Sequence, residues 1–307
     1  MMNAKELLKE IECDNISGAV ELAQKAIRYL TVFSDSLDSE DPSIYQENMI
    51  EIGRQVIDAQ PSMAPLFNVV NCVLFQVEEG VKRGSSVAEL KIKIKSVLEG
   101  LQKEYENSLI KIQKHFINII KDGSTIMTHS YSSTTIKSLI FAHREGIKMN
   151  VMVTESRPLY EGRRTAQILA ENGIKTVLIA DMASFYYLSD IDLILTGCDC
   201  ICQEGIVNKI GTKGLAIAAS QFDIPYYIVS EKSKFLPSKY LHQPKIDERE
   251  SDEIFENPGN IQVKNIYFDI TPLRFVKDVI TEEGVLNTQD VPGLLDKMEV
   301  FESLIVR

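Results

Sequence analysis

The sequence predicts an α/β protein in which an all-helical N-terminal lobe precedes a Rossmann-like lobe built on a doubly wound parallel sheet. Three observations carry the prediction. Residues 3 to 120 keep a helical period, with apolar side chains recurring at three and four positions. From Asp122 the period changes, and short apolar runs alternate with helical segments. The length of 307 residues exceeds the roughly 100 to 200 of a usual single domain, so two lobes are expected, 1–121 and 122–307.

In the first lobe ISGAVELAQKAIRYLTVF and the stretch from SVAELKIKIK to FINIIKDG carry the helical pattern. Ser36, Asp41 and Pro42 interrupt it once, and EEGVKRGSS (78–86) interrupts it again. In the second lobe STIMTHS, MNVMVTES, KTVLIAD, DLILTG and PYYIVSE read as strands, with helices near 133–146, 162–173, 182–188 and 213–222 between them. These strands are nearly continuously apolar, which suits a parallel sheet covered on both faces. The charged, proline-broken segment 237–260 reads as an excursion, KNIYFDITP as a last strand, and residues near 290–302 as a final helix.

Composition narrows the function classes. With 44% hydrophobic and 25% charged residues the chain reads as an ordinary soluble protein, and nothing approaches about 18 consecutive apolar residues. No membrane partner is expected. The charged N-terminus MMNAKELLKEIECD lacks the apolar core of a signal peptide, so a cytoplasmic location is expected. A net charge of −11 with scattered lysines and arginines argues against direct nucleic-acid binding. A local pocket for a small phosphate ester needs only one or two cations and stays open. The five cysteines are expected as free thiols.

In a doubly wound sheet the ligand crevice lies beyond the carboxyl ends of the strands, so the loops THSYSST, TESRP, GCDCICQEGIVNKIGT and SEKSKF are the places to look. Cys198, Cys200 and Cys202 alternate along an extended segment and are expected on one side, with Asp199 and Ile201 on the other. No second cysteine or histidine pair completes a metal site, so buried lining is the reading for the thiols, and no metal or cofactor is expected. Asp199 follows DLILTG, where a ligand would sit; a turn-capping aspartate is the alternative. Lys209 and Lys234 could meet a phosphate, as could the amides of IGTKG, although either lysine could equally be a surface charge. His129, Ser130, Ser132, Ser133 and Thr134 precede a helix and form either an anion cradle or a plain N-cap. A Ser-His hydrolase is disfavoured, because the two side chains point oppositely on one extended segment and no G-x-S-x-G elbow is present.

Taken in order, MTHSYSS, VTESRPLYEGRRTA, LTGCDCI, VNKIGTKGLAIAA, EKSKF, YFDITP and VITEEGVL resemble the signature of one family. It comprises ribose-1,5-bisphosphate isomerase, methylthioribose-1-phosphate isomerase and the alpha, beta and delta subunits of eukaryotic initiation factor 2B. NISGAV (15–20) and AQPSMAPLFNVV (59–70) extend the resemblance into the helical lobe. TGCDCI and VNKIGT are most similar to the ribose-1,5-bisphosphate branch; MTHSYS is equally similar to the factor's alpha subunit. The resemblance implies a homodimer or higher homo-oligomer that needs no cofactor. It implies a site for a phosphorylated pentose or nucleotide-like small molecule. Its isomerases convert a cyclic aldose 1-phosphate to an open ketose 1-phosphate through a cysteine and an aspartate. Asp199 matches that aspartate. Ser17, Gly18, Gln60, Ser132, Ser133, Thr134, Arg157, Asn208, Lys209 and Lys234 fall in the blocks that hold the sugar or its phosphates.

Three positions depart from the isomerase pattern. Ser130 stands where the cysteine is expected, and Ser17 and Gln60 stand where arginines are expected. A serine hydroxyl is far less acidic than a thiol and needs a base beside it, and neutral side chains cannot supply an arginine's bidentate grip on phosphate. Two expectations follow. One is a sugar-phosphate isomerase with Asp199 as acid and base and Ser130 or a water in the remaining role. The other is a non-catalytic, ligand-sensing regulatory subunit.

Overall fold

The structure is a computed structural model that describes residues 4–14, 17–240, 244–256 and 259–305. Asn3, the first two residues of NISGAV, and parts of the 237–260 excursion (241–243 and 257–258) lie outside the described residues. Helices α1 (Ala4–Glu12), α2 (Ala19–Ser36), α3 (Pro42–Ala59), α4 (Ala64–Lys82) and α5 (Val87–Ile117) form the N-terminal lobe. The breaks have local causes. Asp41 accepts N–H bonds from Ser43 and Ile44 with Pro42 in the first turn, so α3 starts there. Ser86 and Glu89 close a capping box that starts α5. The EEGVK part of the second expected break is still helix, and α4 ends only at Lys82.

Helix α4 is the axis of this lobe, with Leu66, Phe67, Val70, Val73, Leu74 and Val77 all 2% exposed or less. At about 1.5–3 kcal/mol for each large apolar side chain fully buried, this stripe makes α4 the main source of the lobe's cohesion. The 31-residue α5 belongs to two cores: Leu90, Ile94 and Leu98 pack in the helical one, while Ile112 and Phe116 pack beneath the sheet of the second lobe.

The second lobe contains β1 (Ser124–Thr128), α6 (Ser133–Arg144), β2 (Met149–Thr154), α7 (Glu161–Glu171), β3 (Lys175–Ile179), β4 (Leu193–Thr196), β5 (Cys200–Cys202), β6 (Gly205–Lys209), α8 (Thr212–Gln221), β7 (Tyr226–Val229), β8 (Phe268–Thr271), β9 (Asp278–Thr281), β10 (Gly284–Asn287) and α9 (Val291–Lys297). The main sheet has the order β10-β9-β7-β4-β1-β2-β3, parallel except for the β9–β10 hairpin. The chain winds from β1 towards β3, then returns to the other side of β1 at β4. The topological switch point therefore lies between β1 and β4, which pair through Ile126–Leu193 and Met127–Ile194. The α/β class and its lobe order are as the sequence predicts. No helix among the described residues is long and apolar enough to cross a membrane.

Several details differ from the sequence expectations. KNIYFDITP forms β8, which joins β5 and β6 in a separate antiparallel sheet, and β9 and β10 come after it. The expected helix near 182–188 is two 3₁₀ turns, and the last helix stops at Lys297. Strand β3 is an edge strand, not covered on both faces: Val177 and Leu178 are 45% and 46% exposed. The three cysteines do not share a side, because the chain bends at Asp199 before β5 begins. Cys200 and Cys202 pack into the helical core, whereas Cys198 packs with Ile201 on the opposite side.

Candidate functional site

Ser130 follows β1 and Asp199 follows β4, so the switch point places them across one cleft. The cleft is lined by the α1–α2 turn (Asp14, Ser17, Gly18), the two ends of the α3–α4 turn (Gln60, Met63), and Ser130, Tyr131, Glu161, Asp199, Asn208, Lys209, Arg249, Tyr267 and Phe268. Both lobes contribute walls. The close approach at the switch point requires Gly197, since a Cβ there would sit 2.3 Å from Ser132 Oγ.

Asp199 is partly buried, and its main-chain N–H is fixed to Val207 O at 2.9 Å. Among the described residues no protein donor occupies its carboxylate. Burial pushes the carboxyl up to about 6; the ammonium groups of Lys234 and Lys209 pull it back in part, and Glu161 adds to the rise. A carboxyl with that affinity holds and releases a proton near neutral pH. The β5–β6 hairpin carries Asn208 and Lys209 to the same wall. Asn208 donates to Thr212 Oγ1 at 3.0 Å, and Lys209 is ion-paired with Glu161 at a buried position. The second Glu161 oxygen, Oε2, is buried without a hydrogen-bond partner.

Ser130 adopts a left-handed conformation (φ 69°). Its N–H donates to Ser156 Oγ at 2.8 Å, and its carbonyl accepts from Thr165 Oγ1 at 2.8 Å. This double clamp turns the side chain towards the cleft. His129 gives it no help. Its Nε2 lies 2.9 Å from the Ile210 carbonyl, which can only accept, so Nε2 carries the proton and Nδ1 accepts from Thr154 Oγ1 at 2.5 Å. Burial lowers the pKa of this imidazole, which is a neutral structural brace. The packing of Gly211 (φ 106°) on its ring completes the brace. No Ser-His pair exists here.

At the helical-lobe end, Ser17 N–H donates to Asp14 Oδ1 at 2.8 Å, and Lys25 Nζ meets Asp14 Oδ2 at 2.5 Å. Gln60 is 3% exposed, and its Nε2 donates to Ile11 O and Asp14 O at 3.2 and 3.1 Å. The amide thus satisfies carbonyls left open where α1 ends. The amide donors of Gln60 are occupied by the fold.

The site gathers Ser17, Gly18, Gln60, Ser130, Asp199, Asn208 and Lys209, and it does not gather the rest. Ser132 caps α6 by accepting from Thr135 N–H at 3.2 Å. Ser133 and Thr134 line a separate hollow with Glu231, to which Thr134 donates at 2.5 Å. Lys234 is buried behind Asp199, 3.1 Å from Glu231 Oε2. Arg157 turns to Tyr160 and to the Ile254 carbonyl, outside the lining. The sequence reading missed Asp14, Glu161, Tyr267 and Arg249. Arg249 comes from the 237–260 excursion, whose only signal was a dense run of charges. Cys198 and Cys200 are inert lining: burial raises Cys198 to about 12 and Cys200 well above its ordinary value. Among the described residues no three metal-ligating side chains come together.

Known proteins resemble this chain over nearly its whole length. A protein of Methanocaldococcus jannaschii named ribose 1,5-bisphosphate isomerase is 31% identical over 298 residues, covering 95% of this chain and 94% of that one. One of Pyrococcus furiosus, named putative translation initiation factor eIF-2B subunit 2-like, is 32% identical over 285 residues, covering 92% and 95%. The crystal structure of the Pyrococcus horikoshii translation initiation factor eIF-2B matches with a TM-score of 0.80 at 29% identity, over 92% of this chain and 96% of that one. The model of the initiation factor 2 subunit family matches residues 15–288, so the chain that carries this cleft belongs to that family.

Proposed function

We propose that the cleft binds a phosphorylated pentose and that the protein isomerises an aldose 1-phosphate to the ketose 1-phosphate. The observation that carries this reading is Asp199, a carboxyl with a pKa of about 6 and no donor on it among the described residues, facing Ser130 across the switch point. The protonated carboxyl gives its proton to the ring oxygen as the C1–O bond breaks. A hydrogen then moves from C2 to C1, and the carboxylate takes the proton of the C2 hydroxyl as C2 becomes a ketone. Substrate and product are isomers, and Asp199 ends protonated as it began. Ser130, with no base hydrogen-bonded to it among the described residues, serves as a hydrogen-bond donor. Similarity to a protein named ribose 1,5-bisphosphate isomerase supports the substrate class.

Ser130 also favours a second reading. A hydroxyl without a base among the described residues, in the place of a thiol, suits a subunit that senses the same ligand without turning it over. Incubation with pentose 1-phosphates and pentose 1,5-bisphosphates, followed by carbon-13 NMR, separates the two. The enzyme reading expects a new ketose carbonyl signal, and Ser130→Cys should raise its rate of appearance at pH 8. Thermal stabilisation without a ketose signal leaves only the sensor, and no stabilisation by any member of the panel removes both. A homo-oligomer belongs to either reading and is supported by the exposed apolar edge strand β3. A monomer mass by light scattering would remove that part.

A further inference from the structure

The cleft is charged unevenly. Among its lining side chains only Lys209 and Arg249 are cationic. Lys209 is committed to Glu161, and at the opposite end Lys25 is held by Asp14 and Glu10. Arg249 differs, since among the described residues no carboxylate pairs with its guanidinium. It stands 5.1 Å from the centre of the Tyr267 ring, and Lys209 Nζ lies 4.8 Å from the same ring. Among the described residues Arg249 is thus the lining cation left without a carboxylate, and it marks the Tyr267 end of the cleft.

The placement of Arg249 is built into the fold. Its N–H donates to Asn265 O at 2.8 Å, beside a bridge between Glu248 and Ile266. Glu253, further along the segment, accepts from Tyr267 Oη and from Asn265 Nδ2. The far end is different in kind. Ser17 and Gln60 carry no charge, the Gln60 amide is occupied, and the Asp14 carboxylate faces any group that enters.

We propose that Arg249 is the phosphate-binding, specificity-determining residue of this cleft. It holds the phosphate on C1 at the Tyr267 end, next to Lys209 and the Asp199 wall. The other end takes a free 5-hydroxyl, whereas a 5-phosphate there would meet the Asp14 carboxylate, and the cation beside it, Lys25, is already shared between Asp14 and Glu10. The cleft thereby selects a pentose 1-phosphate over a pentose 1,5-bisphosphate. The inference rests on the phosphosugar reading given above and deepens it.

Calorimetry on the full chain tests it with ribose 1-phosphate, ribose 1,5-bisphosphate and inorganic phosphate as a competitor. The expected result is tighter binding of the monophosphate. Arg249→Gln should weaken it about tenfold or more and remove competition by inorganic phosphate, and Arg249→Lys should fall between, because the ammonium keeps the charge and loses the fork. Lys245→Gln, an exposed cation of the same segment paired with Asp247, should change nothing. Asp14→Asn should narrow the preference against the bisphosphate. Equal binding by Arg249→Gln and the unaltered protein, or a preference for the bisphosphate, would overturn the inference and leave the phosphosugar reading standing. Absence of binding by every sugar phosphate would remove both.

Discussion

Asp199→Asn lowers conversion of an aldose 1-phosphate by about 10² to 10⁴-fold while the ligand still binds, because the amide keeps the shape and loses the proton. The carboxyl sits at about 6, so activity of the unaltered protein should change through pH 6, and the residual rate of the variant should not. NMR of ketose formation, with calorimetry of ligand binding, measures both. A variant that retained a third of the activity would end the assignment.

The same substitution has a signature in stability. An ordinary aspartate titrates near 3.9, and Asp199 at about 6 binds its proton more tightly in the folded state. Its stabilising contribution is therefore complete below about pH 4 and is lost as pH rises through 6. The asparagine imitates the neutral carboxyl at every pH. It should match the unaltered protein at pH 4 and exceed it at pH 7.5 by something on the order of 1–3 kcal/mol. Urea denaturation at the two pH values supplies the comparison, and an equal difference at both would show that burial is not the cause.

Lys234→Met is expected to be the most damaging single change to the fold. Lys234 and Glu231 are both at least 95% buried, and Thr134 holds the other Glu231 oxygen. Burial opposes charge on each, yet their mutual attraction raises the pKa of Lys234 and lowers that of Glu231. Removing the ammonium leaves an uncompensated carboxylate in the core, at a cost of about 3–5 kcal/mol. Glu231→Leu combined with Lys234→Met should recover most of it, since neither charge then remains. Lys234 also pulls the Asp199 pKa down, so the single variant should move the pH dependence of activity to higher pH. A loss below about 1 kcal/mol would mean that water reaches the pair.

Much of this fold is written in periodicity. The helical stripe of α4 and the apolar runs of β1, β2, β4 and β7 are legible because each side chain reports its own burial. Sheet membership is not legible in that way. KNIYFDITP has the alternation of any strand, and nothing in its residues says that it pairs with β6 and not with β7. The side on which Cys198 lies was misread because alternation presumes an unbroken strand, and the bend at Asp199 resets it. In the site, Asp199 was legible from its place after a strand, whereas Asn208 came from the resemblance of VNKIGT to the family and Lys209 from its charge in that block, both lying within β6. Lys234 and Thr134 were placed one layer too far forward, since a loop position does not show whether a side chain points into a cleft or behind it. Arg249 was invisible because its segment returns over Tyr267 through long-range hydrogen bonds that no local pattern encodes.

The packing of Cys200, Cys202 and Val207 into the helical core has a thermodynamic consequence. The strand pair that presents Asn208 and Lys209 is upholstered by the N-terminal helices, and those helices supply Asp14, Ser17 and Gln60 to the opposite wall. Ligand occupancy and lobe docking are therefore one equilibrium read at two places. A sugar phosphate that fills the cleft should slow amide exchange in α1 and α4, far from any phosphate, and loosening those helices should cost ligand affinity by the same free energy.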